Sequence, residues 1–320
     1  MRAFQIAEAG GTPTLTECAT PQPVGDMVQV QIAACGLNFA DMLMIQGKYQ
    51  DTPPYPFTLG MEIAGTVTAV GPDAPADLLG KRVAVFAGSG GLADYGAFPA
   101  DRCTVLPDSM SFEDAAAFQI AYGTSHVALD HRAHLQAGEN LVVLGAAGGV
   151  GLTAVEIGAR MGATVIAIAR GADKLEVARA AGATHLIDAD APDIREQLKA
   201  LGGADVVYDA VGGDLFRAAF RACNPEARIL AIGFASGDVP QIPANHLLVK
   251  NIAVLGLYWG GYLNFRPSVL TDSMKQLFAW YDQGALKPHI SQTFPLDQAG
   301  EAIEFLRSRR STGKVVVTTG

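Results

Sequence analysis

Over the first third of the chain, apolar and polar residues alternate in short runs rich in β-branched side chains. Residues 28–33 (VQVQIA) and 64–70 (AGTVTAV) predict strands. Gly25, Gly60, Gly71, Pro72, Gly80 and the glycines between 88 and 91 punctuate these runs. No long helical period is present here, so a small, mostly β unit is expected.

The pattern changes near residue 111. Ser111 is placed to cap a helix through 115–117, and a second helix is expected over 124–129. Strands are then expected over 141–146, 164–170, 185–188, 205–209, 228–232 and 252–258. Helices are expected over 150–161, 174–181, 193–201 and 214–222. Strand–helix alternation at this spacing predicts a parallel sheet with right-handed crossovers. Two further helices, over 267–283 and 298–308, precede a final strand over 314–318. That strand can pair back into the first unit, which makes the β unit discontinuous and the α/β unit an insertion.

Composition narrows the function classes. The 320 residues are 49% hydrophobic and only 17% charged, which excludes disorder for most of the chain. The net charge of −9 comes without basic runs, so neither nucleic acid nor an anionic membrane surface is an expected partner. The mean hydropathy of +0.22 is high. Yet no apolar stretch of about 18 residues runs unbroken, and no signal peptide is visible. The four cysteines (Cys18, Cys35, Cys103, Cys223) are scattered without a CxxC, which fits a reducing cytoplasm.

The most informative motif is LVVLGAAGGVG at 141–151, an apolar strand running into glycines and then an amphipathic helix. Such a turn brings the backbone close to a pyrophosphate and offers the unpaired N–H groups of a helix start. The spacing reads Ala146-x-Gly148-x-x-Gly151, with alanine in place of the usual first glycine. A tight strand–helix turn with no ligand has the same local look. The motif's place at the first of the alternating strands favours a dinucleotide, and Ala147, Gly148, Gly149 and Val150 are its expected contacts. At the end of the second strand no carboxylate stands ready for a ribose 2′-hydroxyl. Arg170 and Lys174 flank that position instead, which favours NADPH.

Together with CGLNFAD at 35–41, LGMEIAG at 59–65, GFASG at 233–237 and GKVVV at 313–317, the loop resembles one family over nearly the whole chain. This family is the zinc-free quinone oxidoreductase (zeta-crystallin-like) branch of the medium-chain dehydrogenase/reductase superfamily. The resemblance implies an α/β fold, with a Rossmann doubly wound parallel sheet at 119–261 inserted in a GroES-like β domain formed by 1–118 and 262–320. It further implies nucleotide binding in the cleft between the domains. Zinc alcohol dehydrogenases of the superfamily carry a Cys and a His where this chain has Asn38 and Met61. Met is a poor ligand for zinc. His126, His131 and His134 do not converge on one helix face. No metal is therefore expected.

A bare nicotinamide suits an acceptor already activated by conjugation, either a quinone or the β-carbon of an enone. The resemblance places Asn38 by the nicotinamide ribose and Tyr49 at the substrate cleft as donor to the developing oxygen anion. Asp41 is then the residue that orients the Asn38 loop. Further cofactor contacts implied are Thr124, Phe234, Ala235, Ser236, Leu257, Tyr258, Trp259 and Arg309. Packing in the core is the alternative for the last two aromatics. A Tyr found beside the adenine in some relatives falls at Ala189. The expected activity is NADPH-dependent quinone reduction. Its rivals are reduction of an enone, acryloyl thioester or 2-haloacrylate, and a non-catalytic crystallin-like role in nucleotide or RNA binding. A homodimer joined along the apolar edge strand 252–258 is expected.

Overall fold

Strand Met27–Gly36 is the spine of the β unit, because its ten residues pair on both sides. The sheet runs in the order 290–295, 314–318, 27–36, 62–70, 82–86 and 103–105, and strand Tyr95–Pro99 also pairs with the spine. Val28, Val30 and Ile32 point inward at alternate positions and are fully buried with Ile63, Val83, Val85, Val315 and Val317. A smaller three-stranded sheet joins 14–17, 2–6 and 57–58. The computed structural model describes all residues, 1–320. They form two units, Met1–Ile120 with Pro288–Gly320, and Ala121–Lys287.

The second unit follows the alternating pattern. Its elements are β1 (Asn140–Leu144), α1 (Gly149–Arg160), β2 (Thr164–Ala169), α2 (Ala172–Ala180) and β3 (His185–Asp188). They continue as α3 (Ile194–Ala200), β4 (Ala204–Asp209), α4 (Gly213–Ala222), β5 (Cys223–Ala231), α5 (Ala244–Lys250) and β6 (Ala253–Gly256). All six strands are parallel, in the order β3-β2-β1-β4-β5-β6. The strand order reverses at β1 and β4, the point where such sheets bind ligands at their carboxyl edge. Val142, Leu144, Ile166, Ile168, Val207 and Ile229 fill the interior with Phe216 and Phe220 of α4.

Several features depart from the expected pattern, among them the following. The helix expected over 124–129 starts at Gln119, runs to His126 and widens into a π-turn over Val127–Arg132. The sixth strand spans Ala253–Gly256 rather than 252–258. Residues 262–287, expected with the β domain, belong to the α/β unit. The reason lies in helix Pro267–Asp282, which buries Leu270, Met274 and Leu277. Its Ser273 hydroxyl lies 2.9 Å from Nδ1 of His126.

Glu156 of α1 shows why this unit tolerates being an insertion. Its Oε2 accepts the Tyr122 hydroxyl at 2.5 Å, and its Oε1 accepts the Lys287 N–H at 2.7 Å. One carboxylate thus ties together the two ends of the inserted segment. Burial pushes that carboxyl upward, against the pull of the Tyr122 hydroxyl.

Candidate functional site

The glycine turn after β1 is shaped by close approach. Gly145 takes φ +74°, a region that favours glycine. A Cβ on Gly151 would overlap the Gly145 carbonyl oxygen, so the third glycine of the motif is what lets α1 start against the turn. Gly148 caps α1 and brings no side-chain cap. The first N–H groups of the 12-residue helix therefore face the carboxyl edge of the sheet without a protein side chain to satisfy them. This backbone cradle, free of side-chain bulk, fits a pyrophosphate.

The carboxyl ends of the other strands are knit by backbone. Asp209 ends β4, and its Oδ1 accepts the N–H groups of Val211 and Gly212, both at 2.8 Å. Ala235 N–H donates to the Ala210 carbonyl at 3.2 Å, and Ser236 N–H to Val211 at 2.9 Å. Gly212 takes φ +74°, and a Cβ there would meet the Asp238 carbonyl oxygen. Phe234, Ala235 and Ser236 are held at this edge, with Phe234 exposed. Leu257 N–H donates to Ala231 at 3.2 Å. The two aromatics after it part company. Tyr258 is exposed, whereas Trp259 is 7% exposed and lies on Gly123, where a Cβ would sit 2.8 Å from the indole nitrogen. Thr124 is buried in the same helix as Gly123. Arg170 follows β2 and donates through Nε to Asp190 Oδ1 at 3.0 Å. Lys174 lies in the first turn of α2.

The β unit holds a buried polar cluster that strand register explains. Gly36 pairs with Glu62 on one side and Val316 on the other. Carrying that register two residues on sets Lys314 across from Asn38. Because Gly36 has no side chain, the Lys314 ammonium can reach over it to Glu62. A Cβ at Gly36 would lie 2.7 Å from Glu62 Oε1 and overlap the Ala116 carbonyl oxygen. Lys314 Nζ sits 2.7 Å from Glu62 Oε1 and donates to Asn38 Oδ1 at 2.7 Å. Glu62 is fully buried, and its Oε2 accepts the Ile120 N–H at 2.7 Å. Burial raises the Glu62 carboxyl, with Lys314 opposing.

Asn38 precedes helix Phe39–Ile45. With its oxygen taken by Lys314, its amide nitrogen donates to Gly36 O at 3.3 Å and to the Glu62 carboxylate. Asp41 spends both oxygens on backbone. Oδ2 accepts Asn38 N–H at 2.8 Å and Oδ1 accepts Gly60 N–H at 3.2 Å. Burial pushes its carboxyl up to about 6, against these two bonds. Tyr49 is half-buried on the loop after the helix, and its hydroxyl has no protein partner. Burial first, then Asp51 and Asp41, pushes its phenol up to about 12. Met61 is 3% exposed within the apolar core of this unit. No three His, Cys, Asp or Glu side chains converge as a metal site. Arg309 is an exposed residue at φ +56°, just beyond helix Ala299–Arg307.

Sequence reading missed Lys314 and Asp190. A lysine opening an apolar strand looks solvated, and its only signal was a lone carboxylate, Glu62, inside another apolar strand.

Comparison with known proteins agrees with this fold. Residues 25–108 match the model of the alcohol dehydrogenase GroES-like domain, and residues 149–279 match that of the zinc-binding dehydrogenases. The quinone oxidoreductase-like protein 2 homolog of Nematostella vectensis is 40% identical over 325 residues, covering 99% of this chain and 89% of that protein. The crystal structure of the quinone oxidoreductase from Thermus thermophilus, solved also as its NADPH complex, superposes with a TM-score of 0.89 at 32% identity, covering 100% of both chains. The crystal structure of an NAD-dependent alcohol dehydrogenase superposes with a TM-score of 0.90 at 27% identity, again over both whole chains. The chain belongs to the medium-chain dehydrogenase/reductase superfamily, in its zinc-free quinone oxidoreductase branch. It has the fold of an oxidoreductase, a GroES-like domain carrying a Rossmann sheet.

Proposed function

We propose that the chain is an NADPH-dependent reductase that transfers hydride to a quinone or a similarly conjugated small molecule without a metal. The observation that carries this reading is the state of the two positions where zinc dehydrogenases bind metal. Asn38 has its amide oxygen spent on Lys314, and Met61 is packed into the core. What the β unit offers an acceptor is therefore hydrogen-bond donation rather than a Lewis acid.

The residues of the glycine turn, Ala147 to Val150, would hold the pyrophosphate, and Arg170 and Lys174 the 2′-phosphate. NADPH, when bound, supplies the hydride. The chain's own residues do the rest. Lys314 and Glu62 together fix the orientation of the Asn38 carboxamide. Tyr49 keeps its proton across the physiological range and so serves as a hydrogen-bond donor to a developing oxygen anion. With so high a value it is a reluctant acid, and water delivers the final proton. Asp41 positions the Asn38 loop through two backbone bonds and is not a base.

The same site chemistry serves an enone, acryloyl thioester or 2-haloacrylate, so the test uses a panel. Steady-state NADPH oxidation is measured with 1,4-quinones, acryloyl-CoA and 2-haloacrylates. Turnover is expected to be highest with the quinones. Preference for acryloyl-CoA would move the assignment to C=C reduction, and background rates with all acceptors would overturn it. A homodimer along the β6 edge belongs to the same proposal. That edge has an unpaired side, and the exposed Leu248 and Val249 of α5 precede it.

A further inference from the structure

β2 and β3 pair in parallel with Ala169 opposite Asp188. The residues just past them therefore emerge side by side at the carboxyl edge, Arg170 from one strand and Asp190 from the other. Arg170 Nε donates to Asp190 Oδ1 at 3.0 Å. The Asp190 N–H in turn donates to Asp188 Oδ1 at 3.0 Å, which fixes the turn that presents Asp190 to the guanidinium. One carboxylate, Asp190, thus holds the arginine that, on the reading above, would receive the 2′-phosphate of NADPH.

We infer that Asp190 sets the chain's cofactor preference by competing with that phosphate for Arg170. The side chains of Arg170 and Asp190 are 67% and 63% exposed, so the pair is weak and opens readily. Opening it does not remove the carboxylate. Asp190 remains within a Debye length, about 8 Å at physiological salt, and repels a 2′-phosphate near the dianionic state. The 2′-hydroxyl of NADH carries no charge and loses nothing to this repulsion. Asp190 therefore weakens NADPH binding selectively and narrows a preference that Arg170 and Lys174 create. The nearest further carboxylate on α2 is Asp173, in its first turn.

The inference rests on the reading that this edge takes the adenosine ribose, and binding alone tests it. NADPH, NADH and adenosine 2′,5′-bisphosphate are titrated by calorimetry against the wild type, Asp190→Asn, Arg170→Met and the double variant. Asp190→Asn should tighten NADPH and the bisphosphate about threefold to tenfold at low salt. NADH should stay within about twofold, since only the phosphate's charge is affected. The gain should shrink as salt rises, and in the Arg170→Met background it should fall without vanishing, since the repulsion by Asp190 remains. Equal tightening of NADPH and NADH, or no change in either, would overturn the role of Asp190 while leaving the cofactor reading intact. A wild type that binds neither NADPH nor the bisphosphate would overturn both.

Discussion

A lysine ammonium shut off from water persists only where its charge is answered, and Lys314 is answered by Glu62 at 2.7 Å. Removing one partner leaves the other charge buried alone. Lys314→Met should therefore destabilise the chain by about 3–5 kcal/mol in urea unfolding. The neutral pair Glu62→Gln with Lys314→Met should recover most of that loss. If the single variant unfolds like the wild type, the buried pair is wrong. Asp41 gives a pH signature. Its carboxyl rises from 3.8 to about 6 on folding. A raised acid stabilises the fold below its unfolded value and loses that contribution as pH climbs through the folded value. Between pH 3.8 and about 6 the wild type should lose stability relative to Asp41→Asn, whose profile is flatter there. An identical pH dependence of the two would remove Asp41 as the titrating group. At this scale the sequence was legible in part. Asn38 and Asp41 stand in a recognisable motif, but the partner that fixes the Asn38 amide lies 276 positions away and comes into view only through strand register.

Among the elements, the turn from β1 into α1 is the most constrained. A Cβ at Gly151 overlaps the Gly145 carbonyl, so Gly151→Ala must push the helix start off the strand. A loss of about 1–3 kcal/mol is expected, together with weaker dinucleotide binding. Wild-type stability and affinity in that variant would show that the turn has slack. The alternation of strands and helices was plain from sequence, because parallel strands buried on both faces read as continuous apolar runs. Less plain were the edges. The sixth strand stops at Gly256, and the apolar residues beyond it serve turns and packing, as Trp259 does on Gly123. Apolar content alone does not separate a strand from the buried turn that follows it. Helix Phe39–Ile45 was also hidden, since seven residues give too few turns for a periodic signal.

For the whole molecule, the break between units came out differently from the expectation. Gly260 and Gly261 separate the last Rossmann strand from helix Pro267–Asp282 and read as a boundary, and only the helix's packing on the His126 segment assigns it to the α/β unit. The proposed dimer is a prediction of this scale. Sedimentation should give twice the 33.4 kDa chain mass, and a charge on the β6 edge, Val254→Lys, should shift it toward monomer. A wild type that sediments as a monomer at all concentrations would contradict it. The proposed reaction is a metal-free hydride transfer from NADPH to a conjugated acceptor. Its most direct test is NADPH oxidation by the chelator-treated, metal-depleted protein with 1,4-benzoquinone. Saturable turnover that the chelator leaves unchanged is expected. Background rates, or activity that is lost on chelation and returns with zinc, would contradict it.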